Sequence, residues 1–361
     1  MRVLVLSSLS SDSGCFLRAQ YLAHSLRRAG ATVIFPMPPH SLPFMFDFIV
    51  SFIQNVMICF TTSYDIGIAI KPYPNTLIPL LLKRIISKSK VITDIDDIDF
   101  GYRTGLLATI LKIMQKPLPK KCDSITYHND ALKKFIHTTF HVPADKLYKL
   151  EQGVDTTLFK PLHGRRWEKR KKTLINKYCL NGKKIIVYAG HLNIASDLDA
   201  ILKAVHMAYQ KDPQIHLLIA GGGPMYHDFI ALTKKLQLSD IVSFTGYLSP
   251  ALINECINCA DIAVAYYKSI HVNRYRVSMK VREYMGAGAV VVCNSFGDLK
   301  RFKKYAVQSK NSIHDFSKSI IRALRNRIKL KKTAEKAYHF ITAHYDWNVI
   351  GRNFYQQIKK I

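Results

Sequence analysis

Short apolar segments alternate with segments of helical hydrophobic spacing along most of this 361-residue chain. In the first half the pattern predicts a strand to Leu6, a helix over 16–28, a strand over 31–35, a strand over 66–70, a helix over 77–86 and a strand over 90–93. Strands that alternate with helices form a parallel sheet, so this half is expected to fold as a Rossmann-like α/β domain.

The same alternation begins again near residue 184. A strand over 184–190, a helix over 198–210 and a strand over 215–220 lead into a glycine turn that contains Gly221 and Gly223. The chain is therefore expected to contain two doubly wound domains. Ligands of open parallel sheets bind beyond the carboxyl ends of the strands, so two such domains facing each other would enclose a site.

The expected domain limits follow from where this alternation stops. Residues 159–182 are polar and basic and show no hydrophobic period, which is typical of a linker between domains. We therefore predict a first domain over 1–158, a second domain over 183–340, and a C-terminal helix over 341–361 that crosses back to the first domain.

Residues 41–60 are apolar enough to suggest a membrane segment, but polar residues recur in them at helical spacing. This polar stripe consists of Asp47, Ser51, Gln54 and Asn55. It argues against a transmembrane span and predicts an amphipathic helix. The opposite, apolar side is expected either to pack on the sheet or to contact a lipid interface. That side carries Phe44, Phe48, Phe52 and Met57.

The chain has a formal net charge of +28 at pH 7, and its densest basic run lies at 165–172. A field of this size attracts polyanions over a Debye length without dictating the fold. Nucleotide phosphates, an anionic membrane surface and nucleic acid all qualify, and a merely solvated basic face is the alternative. Trp167 lies in the basic run, but one aromatic residue gives little support to nucleic-acid recognition.

The seven cysteines are odd in number and scattered, which favours reduced thiols and a cytoplasmic location over a disulfide framework. Cys256 and Cys259 form a Cys-x-x-Cys, but no second pair accompanies them, so core thiols are expected rather than a zinc site. The apolar opening of the chain ends at Leu6 and is too short for the core of a signal peptide.

The most informative chemistry lies in the segment 278–292. Ser278 is a good N-cap residue, and a helix N-terminus binds anions through its free amides and partial positive charge. Lys280 would add a full charge to a diphosphate held there, and Glu283, one turn later, would accept hydrogen bonds from ribose hydroxyls. The alternative is an ordinary Lys–Glu pair on a helix surface.

This segment resembles the donor-binding signature of glycosyltransferase family 4, a retaining family with the GT-B fold. Six further stretches resemble motifs of that family in the expected order, and they lie at 153–161, 188–190, 219–224, 244–247, 260–264 and 345–347. Together they cover nearly the whole chain. The resemblance implies an N-terminal acceptor-binding domain and a C-terminal nucleotide-sugar domain, with Lys280 on the diphosphate and Glu283 on the ribose.

Two positions depart from the family pattern. The family usually has a second Glu, which contacts the donor sugar, eight residues before the ribose-binding Glu, and this chain has Tyr275 there. The family also commonly places an Arg and a Lys after the first strand of the second domain. This chain has His191 there, and residues 193–196 contain no cation. Candidates for replacement charges are Lys268, Arg274 and Arg276.

Four aspartates follow the strand predicted at 90–93, namely Asp94, Asp96, Asp97 and Asp99. Such a cluster suggests oxygen ligands for magnesium or manganese. The resemblance instead places this loop where the family often has a His near the anomeric carbon. Asp96 or Asp97 would stand there and would stabilise an oxocarbenium-like centre or orient the acceptor hydroxyl. Gly14, in the first loop, would let backbone amides approach a ligand, or would serve only a tight turn.

These features predict a retaining glycosyltransferase that moves a sugar from a nucleotide-sugar donor to a lipid-linked or envelope glycan acceptor at a cytoplasmic membrane surface, with no cofactor or metal. The predicted catalytic residues are Lys280, Glu283, Asp96 and Asp97. The predicted donor-binding residues are Gly14, His191, Gly221, Gly223, Tyr247, Arg276, Ser278, Lys280 and Glu283. The alternatives are a non-catalytic nucleotide- or nucleic-acid-binding protein, and another GT-B enzyme such as a sugar-nucleotide epimerase or phosphorylase.

Overall fold

The computed structural model describes residues 1–7, 14–37, 44–102, 105, 109, 112–113 and 119–361. This part of the chain divides into two units. The first unit comprises Met1–Gln152, Arg274–Arg276 and Trp347–Ile361, and the second comprises Gly153–Asn273 and Val277–Asp346. The ends of the chain therefore belong to the same unit, because the last helix returns to it.

The first unit is built on a six-stranded parallel sheet with the order β2-β1-β3-β4-β5-β6. Its strands are β1 (Arg2–Ser7), β2 (Thr32–Ile34), β3 (Ile66–Ile70), β4 (Lys90–Asp94), β5 (Ser124–Tyr127) and β6 (Leu147–Lys149). Its described helices include α1 (Gly14–Arg28), α2 (Phe44–Thr61), α3 (Pro74–Ile86), α4 (Asp130–Thr139) and the C-terminal helix at Trp347–Ile358. Strand β3 is apolar and buried throughout, and β1 is apolar and buried from Val3 to Leu6, because helices cover both faces of such a sheet.

The second unit repeats this architecture with the order β12-β11-β10-β7-β8-β9, again all parallel. Its strands are β7 (Lys184–Ala189), β8 (Ile215–Ala220), β9 (Val242–Phe244), β10 (Ile262–Ala265), β11 (Val291–Asn294) and β12 (Val307–Ser309). Its helices are α5 (Arg165–Lys177), α6 (Leu198–Tyr209), α7 (Tyr226–Lys235), α8 (Pro250–Cys259), α9 (Met279–Gly286), α10 (Ile313–Arg325) and α11 (Arg327–His344). The C-terminal helix of the first unit, Trp347–Ile358, is α12. The alternation of strands and helices is thus the one that the apolar pattern predicts.

The basic segment 159–182, predicted to be a linker, is part of the second unit. It is helical from Arg165 to Lys177. Trp167 is buried in that unit's core, and Leu174 packs against the same core one heptad later. Arg170 also pairs with Glu255 of α8, with Nε 2.6 Å from Oε1. The helical period is hard to recognise in the sequence because this helix has few apolar positions among many charged ones. The single face that carries Trp167 and Leu174 is nevertheless sufficient to pack the helix on the core.

Helix α2 is amphipathic, as the polar stripe predicts, but its polar side faces the protein. Ser51 and Asn55 are buried, Phe48 and Phe52 are half-buried, and Met57 is exposed. The side chain of Phe44 lies outside the described part of the structure. Among the described helices, none has both the length and the apolar content that crossing a membrane requires.

All seven cysteines lie in the described part and are free thiols there. Cys256 and Cys259 are buried in helix α8, where they pack in the core of the second unit. Burial raises the pKa of the Cys256 thiol to about 12 and that of Cys259 to about 11, so both are uncharged and inert at neutral pH.

Candidate donor site and acidic cluster

Ser278 caps helix α9, as its position in the sequence predicts. Its Oγ accepts a hydrogen bond of 3.2 Å from the backbone N–H of Val281. The Ser278 backbone N–H donates to Asp298 Oδ2 at 3.3 Å, and the same oxygen accepts from buried Arg282 at 2.8 Å. The Arg282 guanidinium holds the pKa of Asp298 below its usual range against the effect of burial. The N-terminus of α9 is therefore fixed by a buried ion pair behind it.

Lys280 lies in the first turn of α9, and its amine meets the end of strand β7. The Nζ atom donates to the Tyr188 hydroxyl at 2.6 Å and lies 4.1 Å from the centre of the Tyr188 ring. It also borders Gly190, where an added Cβ would come within 3.3 Å of Nζ. The cation is thus held at the carboxyl end of a central strand, which is where open α/β sheets bind ligands.

Glu283 follows Lys280 by one turn on the same helix face. Burial raises the pKa of Glu283 to about 7, and the positive charge of Lys280 acts in the opposite direction. A carboxyl whose pKa burial has raised in this way is a candidate for a functional role. The predicted contact of Glu283 with ribose hydroxyls stays a prediction.

The glycine turn after β8 approaches the loop after β7 so closely that side chains are excluded. A Cβ on Gly221 would lie 2.1 Å from the carbonyl oxygen of Gly190, and one on Gly223 would lie 2.4 Å from that of Leu192. Both glycines have positive φ, at 148° and 154°. Backbone contacts close the approach, with Gly190 N donating to Ala220 O and Leu192 N donating to Gly222 O.

His191 and Tyr247 form an aromatic pair beside this turn. Their ring centres are 6.2 Å apart, and Tyr247 is 73% exposed. The Tyr247 ring lies over Gly222, where a Cβ would meet it at 2.6 Å. Lys280 and the glycine turn thus both border Gly190, and His191 and Tyr247 lie beside the same turn.

The candidates for replacement charges lie in two different units, with Lys268 in the second and Arg274 and Arg276 in the first. The Lys268 amine lies 2.6 Å from Asp199 Oδ1 and 4.0 Å from Asp197 Oδ1, so carboxylates on helix α6 and at its N-terminus offset its charge. Arg274 and Arg276 belong to the first unit, where the charge of Arg276 acts on Asp97. Arg276 therefore lies in a different unit from Ser278, and its predicted role in donor binding stays a prediction.

Tyr275, which stands where the family pattern has the sugar-binding Glu, is anchored in the first unit. Its ring packs 5.3 Å from that of Phe135. Its carbonyl oxygen accepts hydrogen bonds from Asn129 Nδ2 at 2.8 Å and from His128 Nε2 at 2.9 Å. Burial lowers the pKa of His128, so the ring is neutral and donates from Nε2. The Tyr275 side chain is a core residue of this unit.

The four aspartates at the end of β4 and in the loop after it have different roles. Asp94 is buried, and its carboxylate accepts from Arg18 Nε at 2.6 Å and from Thr126 Oγ1 at 2.6 Å. Asp99 pairs with buried Lys71 and accepts from the Tyr73 hydroxyl at 2.7 Å. Asp94 and Asp99 are therefore held by neighbouring side chains.

Asp96 and Asp97 are half-buried between these pairs. The Lys71 amine lies 3.4 Å from Asp96 Oδ1. Burial raises the pKa of Asp97 to about 6, helped by the charges of Asp99 and Asp96 and opposed by those of Lys71 and Arg276. Asp97 is consequently ionised at neutral pH but close enough to its pKa to exchange a proton.

The geometry of the described residues gives no support to metal binding by this cluster. Among the described residues, no group of three or more His, Cys, Asp or Glu side chains has a metal-binding arrangement. Gly14 begins helix α1, and an added Cβ there would meet nothing within 4 Å, so packing does not require a glycine. Residues 8–13, which precede it, lie outside the described part.

Three residues that the structure places at the donor site or near the acidic cluster were not among the site residues predicted from the sequence. Tyr188 was part of a family motif but had no assigned role, Lys71 lies just after β3, and His128 just after β5. The position of Lys71 and His128 beyond the carboxyl ends of parallel strands is the signal that would have identified them. The left-handed backbone of Lys71, at φ 69°, is a second mark, since non-glycine residues adopt it rarely.

Residues 165–340 match the family model described as glycosyl transferases group 1. The chain is 24% identical to a Bacillus subtilis (strain 168) protein named as a teichuronic acid biosynthesis glycosyltransferase, TuaH, over 75% of this chain and 67% of that protein. It is 36% identical to the Bacillus subtilis protein named as glycosyltransferase EpsD, over 28% of this chain and 25% of EpsD. The chain thus matches between a quarter and two thirds of the lengths of these relatives.

Solved structures share the fold over the whole chain. Anabaena HepE in complex with UDP-glucose covers 100% of both chains with a TM-score of 0.79 at 12% identity. The sucrose-phosphate synthase of Thermosynechococcus elongatus covers 100% of this chain and 98% of its own, with a TM-score of 0.78 at 14% identity. The two Rossmann-like units therefore have the architecture of the GT-B class.

Proposed function

We propose that this chain, whose residues 165–340 match the group 1 glycosyltransferases, transfers a sugar from a nucleotide-sugar donor to a hydroxyl of a glycan or lipid-linked acceptor, with retention of the anomeric configuration. Uridine diphosphate is the proposed carrier, since the related HepE binds UDP and UDP-glucose. The proposed reaction needs no cofactor beyond the donor itself.

The observation that carries the proposal is the placement of Lys280. Its amine is fixed at the carboxyl end of β7, beside Gly190 and in the first turn of a capped helix. When the bond from the anomeric carbon to the diphosphate breaks, the electron pair stays on the diphosphate oxygen. A cation and free helix amides at that position stabilise the developing charge.

Glu283 supplies the second donor contact in this proposal. Its carboxylate accepts hydrogen bonds from the two ribose hydroxyls, which orients the nucleotide relative to Lys280. The exposed ring of Tyr247 and the neighbouring His191 offer flat surfaces to the base, while Gly221 and Gly223 allow the backbone to come close to the ligand.

Asp97 is the proposed acceptor-side catalytic group, with Asp96 beside it. A carboxylate with a pKa near 6 accepts a hydrogen bond from an acceptor hydroxyl at neutral pH and stabilises positive charge on an anomeric centre. Lys71 fixes the positions of the neighbouring carboxylates through its ion pairs with Asp96 and Asp99.

An anionic envelope glycan is the proposed acceptor class. The chain carries 53 Lys and Arg against 25 Asp and Glu, so its field attracts acidic or phosphate-linked polymers. TuaH is named for teichuronic acid biosynthesis, which fits an acceptor of this kind. We place the reaction at the cytoplasmic face of a membrane, where a lipid-linked acceptor would be reached.

Calorimetric titration of the purified protein with UDP and GDP tests the donor site. We expect micromolar UDP binding that is lost in Lys280→Ala and Glu283→Ala and kept in Lys234→Ala, an exposed lysine of helix α7. Incubation with UDP-sugars and envelope glycans, followed by mass analysis, should show a glycosylated acceptor. Nucleotide binding without any product would favour the non-catalytic alternative, and an epimerised donor or free sugar phosphate would favour another GT-B reaction.

A further inference from the structure

Helix α2 turns a continuous apolar stripe away from the protein. The exposed fractions of its side chains identify the stripe as Phe46 (65%), Ile49 (51%), Val50 (39%), Ile53 (54%), Met57 (62%) and Phe60 (45%). Their spacing of three or four residues places them on one face of the helix. Scattered apolar residues are ordinary on protein surfaces, but a contiguous stripe of this length indicates an interaction site.

The rotation of α2 is held by its polar side. Asn55 is buried and its Nδ2 donates to the carbonyl oxygen of Asn75 at 2.8 Å, at the start of helix α3. Ser51 is buried one turn earlier, and Asp47 lies on the same side with one buried oxygen and a pKa raised by burial. Rotating α2 until the apolar stripe faced the protein would therefore break the hydrogen bond of Asn55 and move buried polar groups out of their present positions.

Helix α3 extends the apolar surface. It exposes Leu82 (41%), Ile85 (79%) and Ile86 (68%), and it contacts α2. The amine of Lys83 lies 5.8 Å from the ring of Phe60, which joins the two helices at the surface. We refer to Phe46, Ile49, Val50, Ile53, Met57 and Phe60 of α2 with Leu82, Ile85 and Ile86 of α3 as the α2–α3 face.

Basic residues border this face. A cavity of about 490 Å³ is lined by Ile78, Leu81, Leu82, Ile85, Arg84 and Lys121. Residues 77–90 contain four Lys or Arg and no acidic residue. The negative charge of the neighbouring Asp123 is neutralised by Arg84 and Lys90, whose nitrogen atoms lie 3.3 Å and 3.8 Å from its carboxylate oxygens. The border of the α2–α3 face is therefore strongly positive.

We propose that the α2–α3 face docks on an anionic lipid bilayer, with its apolar side chains below the headgroups and its basic border on the lipid phosphates. A helix with an exposed apolar stripe and nearby Lys and Arg has the composition of an interfacial anchor. A second copy of this chain is a poorer occupant, because two such faces would bring their basic borders together. The proposal goes beyond sugar transfer and does not depend on it.

Vesicle sedimentation of the purified full chain tests this docking. The vesicles contain phosphatidylcholine with phosphatidylglycerol, or phosphatidylcholine alone. We expect binding to the anionic vesicles that weakens in high salt and little binding to the neutral ones. Ile53→Ser should weaken binding about tenfold, since one buried isoleucine is lost from the lipid phase. Ile328→Ser, at a residue that is 74% exposed on helix α11 of the other unit, should leave binding unchanged.

The same measurements can overturn the proposal. Equal binding of the parent to neutral and anionic vesicles, no binding to either, or equal loss in Ile53→Ser and Ile328→Ser would each do so. Analytical ultracentrifugation of the parent and Ile53→Ser adds one further outcome. A dimer that dissociates in the variant would identify the face as a contact between copies. UDP binding, measured on the same samples, shows whether the donor site is intact independently of the docking result.

Discussion

The amine of Lys280 is 2.6 Å from the hydroxyl of Tyr188 and 4.1 Å from the centre of its ring. Lys280 belongs to the first turn of helix α9, whereas Tyr188 belongs to strand β7, 92 residues earlier in the chain. Because a lysine side chain has four rotatable bonds, an unbound amine would sample many positions. The tyrosine restricts it to the place where a diphosphate would meet the helix N-terminus.

We predict that Tyr188→Phe lowers UDP affinity about tenfold. The variant keeps the ring over which the amine lies and loses a single charge-assisted hydrogen bond, worth about 1.5 kcal/mol. Calorimetric titration checks this prediction, with Tyr178→Phe as the matched control, since Tyr178 lies at the end of helix α5. UDP affinity equal to that of the parent would show that the tyrosine does not position Lys280.

Loss of the cation itself should reduce turnover. We expect Lys280→Ala to lower kcat by a factor on the order of 10² or more, because the departing diphosphate loses its fixed positive charge. Rates of nucleotide release at saturating donor measure the effect, and Lys234→Ala should behave as the parent. An unchanged kcat with a raised KM would show that Lys280 stabilises the bound donor and the transition state equally and does not accelerate the chemical step.

Donor binding should depend on pH through Glu283. Its pKa of about 7 lies above its ordinary value, so the carboxylate that accepts the ribose hydroxyls forms as the pH rises from about 6 to about 8. We expect UDP affinity to increase over this interval in the parent. Glu283→Gln should lose that increase, while Glu335→Gln, at an exposed position, should keep it.

The same shift has a consequence for stability. A carboxyl whose folded pKa is raised stabilises the fold while it is protonated, and this contribution is lost as the pH rises from about 4.5 to about 7. Above pH 7, Glu283→Gln should therefore unfold at a higher temperature than the parent. A lower Tm would contradict the destabilising burial of this carboxylate.

Gly221 should tolerate no side chain. Its Cβ would lie 2.1 Å from a backbone oxygen, and its φ of 148° is unfavourable for any residue but glycine. We expect Gly221→Ala to destabilise the second unit by on the order of 3 kcal/mol and to abolish UDP binding. Thermal unfolding followed by the fluorescence of Trp167 in a Trp347→Phe background measures the first effect. Gly14→Ala, where a Cβ meets nothing, should leave that transition unchanged.

The buried pair of Arg18 and Asp94 should support the first unit. Arg18→Met leaves an unpaired buried carboxylate, and we expect a cost of about 3–5 kcal/mol at neutral pH. Arg18 holds the pKa of Asp94 down, so the pair's contribution is present above the ordinary pKa of 3.8 and fades as the pH falls through the folded value.

Urea unfolding can isolate this effect because the chain has only two tryptophans, one in each unit. In a Trp167→Phe background the fluorescence of Trp347 reports on the first unit alone. Arg28→Met, at an exposed position of the same helix, should shift the midpoint little. Equal effects of the two Arg variants would refute the role of the pair.

The sequence alone determined the elements of the second unit with good accuracy. Strands at 184–190 and 215–220 and the helix at 198–210 match the structure to within a residue, and Ser278 is the N-cap that its position predicts. These features follow from local causes, namely apolar periodicity, glycine turns and capping chemistry. The resemblance to the glycosyltransferase family rests on the same local motifs.

Other features depended on contacts between residues far apart in the chain. The sequence presents four aspartates at the end of β4 and just after it as equals, but Arg18 pairs with one of them, Lys71 pairs with two, and the fourth, Asp97, has a pKa raised by burial. The sequence likewise shows that α2 has two faces, but it does not show which face is buried; in the structure Asn55 is on the buried side and donates to Asn75, twenty residues further along. Such pairings are set by tertiary packing, because burial and charge compensation are properties of the folded neighbourhood rather than of the segment.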